Sequence, residues 1–399
     1  MNLSGVALIS EEFPPFTFGG IGSVCHDLAY ALSRNGVSTA VFCGKAERVT
    51  LEKVNKNLKI VRLPCLDFPP RFLWFQLQNF KLLSKLLKDY AVLHIVNPEA
   101  GATTAYVGRR LNKPVVMSVH GTYVYPIKKM LSSPFSSWTF GDVGTQLLGY
   151  PLHRFLYGRC LKHSNRVAVC SASTLGELKS IYPNLALGKA TVIPNGVDFN
   201  QFSSTASSYK ERNPSIIFYG RLLWAKGVQF LIEAVAELRK DFPNLQVRIF
   251  GDGPFKEKTN RLVSDFGLNK NISVRGYVPR ATLFQEIEKA SIVVLPSLHE
   301  AQPISFLEAM ACRKPVVAFD FPFSREIIHD MHTGLLARPG DVQDLSGKIK
   351  VLLEDEELRS RIGKNAYEYV KREHNWNTLA EKYVELYSEA ETDLRCEER

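Results

Sequence analysis

The sequence predicts an α/β protein made of two successive parallel sheets, each flanked by helices on both faces. Three observations carry this. Short apolar runs alternate with amphipathic stretches along the whole chain. The alternation restarts after residue 213 without any visible repeat of sequence. The length, 399 residues, is also too great for one hydrophobic core and suits two domains.

The elements follow in order. "SGVALIS" (4–10) reads as a buried first strand. No basic segment precedes it, and it runs into Glu11, Glu12 and Pro14, so it does not read as a signal peptide. "IGSVCHDLAYALSRNG" (21–36) carries apolar residues at helical spacing, with Gly36 placed as a C-cap. "VSTAVFCG" (37–44), "AVLHIVN" (91–97), "PVVMSVHG" (114–121) and "NRVAVCSAS" (165–173) are further strands. In the second half "PSIIFYGRL" (214–222) is a strand and "GVQFLIEAVAELRKDF" (227–242) a helix. "LQVRIFGDGP" (245–254), "NISVRGYV" (271–278), "SIVVLPS" (291–297) and "KPVVAFD" (314–320) continue the series. The polar stretch "NQFSSTASSYKERN" (200–213) reads as the linker, and the tail after about residue 391 is expected to fray.

Composition is ordinary for a globular chain, at 45% hydrophobic and 23% charged residues. No apolar run approaches the roughly 18 residues of a membrane span. Cysteines 25, 43, 65, 160, 170, 312 and 396 include no C-x-x-C pair, which argues against structural zinc and dithiol chemistry. Most read as buried small apolar residues in a reducing compartment. The net charge of +10 is unevenly spread: residues 1–200 hold 22 Lys+Arg against 11 Asp+Glu, and the remainder 28 against 29. A basic first half favours an anionic partner, a membrane surface, a phosphorylated substrate or nucleic acid, or is simply a solvated lysine-rich surface.

Four stretches could carry chemistry. "GRLLWAKG" (220–227) places Arg221 and Lys226 in a loop at the carboxyl edge of a strand, where a planar guanidinium and a point-like ammonium could clamp a diphosphate. In "HEAQPISFLEAM" (299–310), Pro303 suits the first turn of a helix whose free amides and positive end would hold an anion. Glu300 precedes that helix and Glu308 lies about 1.5 turns inside it. Either carboxylate could accept from sugar hydroxyls, or could be purely structural. "FTFGGIGSVC" (16–25) is a glycine loop with Gly19, Gly20 and Gly22, open to a phosphate, yet not the G-x-G-x-x-G of a dinucleotide site. "SVHGTY" (118–123) puts His120 after a strand, with aromatics and two lysines following in "YVYPIKKM" (123–130).

Taken together and in this order, these stretches resemble the retaining, nucleotide-sugar-dependent glycosyltransferases of the GT-B fold, the group 1 or family 4 type that includes glycogen synthases and phosphatidylinositol mannosyltransferases. The resemblance runs from about residue 5 to 375. It rests on "FGGIGSVCHDLAYALSRNG", "SVHGT", "CSASTLGEL", "VIPNGVDFNQF", "YGRLLWAKGVQFLIEAV", "IFGDGP", "GYVPRATL", "EAQPISFLEAMACRKPVVAFD" and "TGLLARPGDVQDL". It implies two Rossmann-like domains whose parallel sheets face each other across a cleft. Residues 1–198 would bind acceptor, 199–212 would link, 213–375 would bind the nucleotide sugar, and a helix over 376–390 would cross back to the first domain.

The resemblance also implies roles. Arg221 and Lys226 match the diphosphate clamp. Glu300 and Glu308 match the E-x7-E pair, on donor sugar and ribose respectively. The amides near Ile304 and Ser305 match those that meet the distal phosphate. Gly19 and Gly20 match the glycine loop, His120 the histidine placed against the donor sugar, and Tyr277 and Val278 the backbone site for the base. His120, Arg221, Lys226 and Glu300 would be the catalytic group. No cofactor and no metal is expected, since no D-x-D motif occurs. Three departures stand out: Glu300-Ala-Gln-Pro303 where E-G-F-G is frequent, Arg313 where glycine is usual, and Phe321-Pro322-Phe323 in place of Gly-Gly.

The expected reaction is hexose transfer from a UDP- or GDP-linked sugar to a lipid-linked or glycan acceptor, with no nucleic-acid partner. A soluble sugar or sugar-phosphate acceptor is the alternative. A nucleotide-sugar epimerase-like enzyme or a non-catalytic binder on the same fold is the rival class. "PPRFLWFQLQNFKLLSKLLKDY" (69–90), with Lys81, Lys85 and Lys88 on one face, would either lie on an anionic bilayer or bury its apolar face in the domain. The expected location is cytoplasmic, peripheral on the membrane.

Overall fold

Valine- and isoleucine-rich runs become the interior of two sheets in a computed structural model that describes residues 5–16, 20–67, 71–121, 150–184, 187–202 and 214–397. Gly19, the segment 123–130 and most of the linker over 200–213 lie outside the described residues. The chain divides into two units, 1–195 with 376–399, and 196–375. The break falls three residues before the expected boundary at 198, because the Val197 amide donates to the His374 carbonyl at 2.7 Å and keeps this segment with the second unit.

In the first unit the described strands are β1 (Val6–Ile9), β2 (Thr39–Ala46), β3 (Thr50–Asn55), β4 (Leu58–Pro64), β5 (Val92–Ile95), β6 (Val115–Val119), β7 (Arg166–Val169) and β8 (Ala190–Val192). They form one sheet in the order β3-β4-β2-β1-β5-β6-β7-β8, parallel throughout except for β3 against β4. Buried strands with no polar alternation are what a covered parallel sheet requires. Between them run α1 (Gly20–Arg34), α2 (Arg71–Leu86), α3 (Ala102–Arg110), α4 (Tyr150–His163) and α5 (Ala172–Ile181). Helix α1 begins at Gly20, so Gly22 is helical and buried rather than part of a loop. It closes with Gly36 at φ 81°, the Val37 amide on Leu32 and the Gly36 amide on Ser33, a Schellman ending. Helix α2 buries Phe75, Gln76, Asn79 and Leu83, so one face of the basic amphipathic segment packs into the unit.

The last helix, α13 (Trp376–Glu397), reaches seven residues beyond the expected end at 390 and does not fray at 391. Arg166, at the start of β7, grips Asp393 with two hydrogen bonds of 2.7 and 3.0 Å. Buried Trp376, Tyr383 and Tyr387 seat the rest of the helix in the first unit. The Tyr387 hydroxyl lies 2.7 Å from Nδ1 of fully buried His94, whose Nε2 lies 2.7 Å from Ser118 Oγ.

The second unit holds β9 (Ser215–Tyr219), β10 (Gln246–Phe250), β11 (Ile272–Gly276), β12 (Ile292–Val294), β13 (Val316–Phe319) and β14 (Gly334–Ala337). All pairs are parallel, in the order β11-β10-β9-β12-β13-β14. Helices α6 (Val228–Leu238), α7 (Lys256–Asp265), α8 (Arg280–Lys289), α9 (Ile304–Ala311), α10 (Pro322–Arg325), α11 (Val342–Glu354) and α12 (Glu356–Glu373) connect and follow them. The chain winds outward from β9 in one direction through β10 and β11, and in the other from β12 through β14. The topological switch therefore lies between β9 and β12, and ligands of such sheets bind outside the carboxyl ends of those strands.

Arg313 follows α9 at φ 57°, the left-handed region where glycine is favoured. Its guanidinium sits 4.1 Å from the centre of the Tyr367 ring, a cation–π contact that offsets part of the backbone strain.

Candidate active site

The loops at the switch point are bound to each other. The Leu298 amide, after β12, donates to the Ala225 carbonyl, after β9, at 2.8 Å. Gly227 stands at φ 75°, and a Cβ there would meet the Pro296 carbonyl oxygen at 1.9 Å. Only glycine lets the two loops approach this closely. The β9 loop is also tied to the next one along the sheet edge, with the Leu222 amide on the Asp252 carbonyl at 2.8 Å.

These loops carry the charged groups. Lys226 pairs with Glu300 Oε1, which also accepts from Ser297 Oγ at 2.9 Å. Arg221 is exposed, and among the described residues its side chain makes no ion pair or hydrogen bond. Pro303 is the N-cap of α9, with φ −74° and ψ 106°, rather than its first helical residue; the helix proper begins at Ile304. Ile304 and Ser305 are then the first two helical positions. Their amides have no acceptor within the helix, so they stand at its positive end. The Tyr219 hydroxyl, at the end of β9, donates to the Ser305 carbonyl at 2.5 Å and anchors this helix start to the sheet. Burial, and then the Glu308 carboxylate, push that phenol well above its ordinary range.

Glu308 is buried in α9 and accepts from Arg280 Nε at 3.0 Å and Nη2 at 2.9 Å. Arg280 opens α8, immediately after the loop of Tyr277 and Val278. Tyr277 is 78% exposed, whereas Val278 packs against the core of the unit. After β13, on the other side, the Phe321 and Phe323 rings stack with centres 5.6 Å apart where glycines were expected.

In the first unit His120 follows β6, and its Nδ1 lies 2.8 Å from Asn195 Oδ1. An amide oxygen only accepts, so Nδ1 carries the proton and Nε2 presents a lone pair. Among the described residues nothing donates to that buried Nε2. Burial lowers the imidazole to about 4, against the opposing pull of the Asn195 hydrogen bond, so His120 is neutral at pH 7. Gly20 is exposed at the start of α1. The loop after β1 holds Glu11, raised to about 7 by burial first and then by Glu12 and Glu99.

Residues 18–201 match the family described as "Glycosyltransferase Family 4", and residues 200–369 match "Glycosyl transferases group 1". The chain belongs to the group 1 glycosyltransferases. It is 26% identical to an uncharacterised glycosyltransferase of Methanocaldococcus jannaschii, over 96% of this chain and 97% of that one. It is 34% identical to N,N'-diacetylbacillosaminyl-diphospho-undecaprenol α-1,3-N-acetylgalactosaminyltransferase of Campylobacter jejuni, over 44% of this chain and 45% of that protein. The fold is shared with Anabaena HepE in complex with UDP-glucose, at TM-score 0.74 and 17% identity, covering 96% of this chain and 99% of that one. It is the GT-B fold.

In this group 1 glycosyltransferase the structure brings Lys226, Glu300 and the α9 start together at one sheet edge of the second unit. Glu308 lies one turn further along α9. Sequence reasoning did not reach Arg280, Ser297 or Tyr219. Arg280 stood inside the quoted "GYVPRATL", but nothing in that stretch signals a partner 28 residues away.

Proposed function

We propose that the chain is a retaining glycosyltransferase that moves a hexose from a UDP- or GDP-linked sugar to a lipid-linked acceptor. One observation carries the donor half of this reading. Lys226, on the loop after β9, pairs with Glu300 just before the positive end of α9 at the switch point of the second sheet, and Arg221 is exposed on the same loop. Such an arrangement suits a departing diphosphate, because cations and free amides at a helix start stabilise the charge that develops on it. Glu300 suits the donor sugar, and Glu308, steered by Arg280, suits a ribose. The neutral His120, with a lone pair on Nε2, suits a sugar hydroxyl that donates. Ile304 and Ser305 supply amides for the distal phosphate, and the backbone at Tyr277 and Val278 suits the base. Gly19 and Gly20 suit the glycine loop of the family, a role that rests on the resemblance of "FGGIGSVC". A retaining outcome, with the leaving phosphate assisting on the same face, rests on the E-x7-E pattern of the family.

The lipid-linked acceptor is supported by the basic first half of the chain and by the exposed face of α2. There Leu77 is 61% and Phe80 39% exposed, beside exposed Lys81 and Lys85. The Campylobacter relative, whose name specifies a diphospho-undecaprenol acceptor, points the same way. Among the described residues no helix is long and apolar enough to cross a membrane, so contact with a bilayer would be peripheral.

The test is a matrix of nucleotide sugars and acceptors, scored for glycosylated product and for its anomeric configuration by NMR. Product with the donor's anomeric configuration supports the proposal. Release of nucleoside diphosphate with no glycosylated product under any pairing would favour the epimerase-like reading.

A further inference from the structure

The first unit has a second charged feature, on the opposite edge of its sheet. A cavity of about 710 Å³ lies against the amino ends of the strands, where Lys113 precedes and Val115 begins β6, Asn165 precedes β7 and Lys189 precedes β8. In a parallel sheet the amino ends share one edge, so this cavity is separated from the carboxyl edge, where His120 lies, by the length of β6, ~16 Å. It is not part of the site described above.

The walls are strongly cationic. Arg109, Lys113, Lys162 and Lys189 all line the cavity together with His163. Lys189 donates to the Ser164 carbonyl. Arg109, Lys113 and Lys162, by contrast, make no ion pair and no side-chain hydrogen bond among the described residues. The one carboxylate in the wall, Asp393, is already neutralised by the two-pronged hydrogen bonds from Arg166. The imidazole of His163 registers the resulting field: after burial, it is Arg109, Arg159, Lys162 and Lys189 that hold it below its ordinary range.

Several cations held around one concavity without carboxylate partners repel one another, and a multiply charged anion relieves that repulsion. The volume exceeds the need of a single phosphate and admits a diphosphate or a phosphorylated headgroup. We infer that this cavity is a second, non-catalytic binding site for a phosphate-bearing ligand, held by Arg109, Lys113 and Lys162. It gives the basic excess of the first half a specific location, distinct from the α2 face.

The experiment uses the full chain carrying Arg221→Ala, so that a diphosphate in the second unit does not contribute. Inorganic pyrophosphate is titrated by calorimetry at low and at 0.5 M salt, into this chain and into one also carrying Lys113→Glu and Lys162→Glu. Flotation with phosphatidylglycerol or phosphatidylcholine vesicles is run in parallel, and thermal melting checks that each variant folds. Saturable pyrophosphate binding, weakened about ten-fold or more by the two reversals and by salt, supports a site for a free phosphate ligand. Flotation with phosphatidylglycerol alone, lost in the reversed chain without saturable pyrophosphate binding, supports a headgroup site. Should neither binding respond to the reversals in a chain that melts normally, the inference is overturned. Arg109→Ala, chosen at an exposed position, gives the same readings if the double variant fails to fold.

Discussion

Lys226 and Glu300 form an ion pair although 74 positions separate them in the chain. The pair closes the loops after β9 and β12 onto each other at the switch point of the second sheet. It also sets up a competition, since the diphosphate proposed for this site would need the same ammonium.

Glu300→Gln keeps the side-chain shape and removes the competing charge. UDP or GDP is expected to bind as tightly as before or a few-fold tighter, because a partly exposed pair is worth only ~0–1 kcal/mol. Transfer is expected to fall on the order of 100-fold, the scale of losing one group that meets the reacting sugar. Calorimetry and initial rates separate the two effects. A variant whose nucleotide binding collapses together with its rate would place Glu300 on the nucleotide instead.

Arg280 compensates the buried carboxylate of Glu308. Arg280→Ala leaves that carboxylate without its guanidinium and should lower stability by about 1–3 kcal/mol, less than a fully buried pair would lose because Arg280 is partly exposed. Adding Glu308→Gln to the same chain should restore most of the melting temperature. Equal melting of the single and double variants would show that the two side chains are not coupled.

Gly227→Ala places a methyl group against the Pro296 carbonyl in a backbone conformation alanine resists. The expected cost is about 2 kcal/mol or more, through the left-handed φ and the displacement of one loop from the other. Gly36 also has positive φ, but nothing lies within 4 Å of a Cβ there. Gly36→Ala should therefore cost distinctly less, and thermal melting compares the two.

Burial, assisted by nearby His120, lowers fully buried His94 to about 3, against an ordinary value of 6.5. Its folded form is therefore neutral, while the unfolded chain takes up a proton below pH 6.5. The contribution of His94 is complete above about pH 6.5 and is lost as the pH falls from there toward 3. Glu11, raised to about 7, acts in the opposite sense between about pH 4.5 and 7, so wild-type melting alone mixes the two. His94→Gln keeps hydrogen-bonding groups for Tyr387 and Ser118 and removes the titration. The difference in melting temperature between wild type and His94→Gln should narrow steadily on acidification from pH 6.5 to 4.5. A difference that stays constant would contradict the assignment.

Much of the second unit was legible because β9 and β12 are continuous apolar runs that stop at Gly220 and Pro296, and because these stops are where the site residues lie. The edges were less visible. β3 is exposed along almost its whole length and reads "TLEKVN", so no apolar pattern marks it, and β8 is three half-exposed residues. The C-terminal turns of α13 looked frayed because "ETDLRC" is polar, yet Asp393 holds them through Arg166, a partner 227 positions away. Arg280 was hidden for the same reason. An ion pair made between elements far apart in the chain has no period in the sequence, whereas an apolar face does. Arg313 shows the converse: a residue that departs from the family's glycine is accepted because Tyr367 receives its guanidinium.

On the function proposed above, the carboxyl edge of the second sheet grips a diphosphate. Calorimetric titration of UDP, GDP and ADP into wild type, Arg221→Ala and Lys226→Ala tests it most directly. Wild type should bind at least one of the three, and each variant should bind it about ten-fold or more weakly, the scale of one lost charge-assisted contact, while melting at nearly the wild-type temperature. No binding of any nucleoside diphosphate by wild type, or equal binding by all three chains, would contradict it.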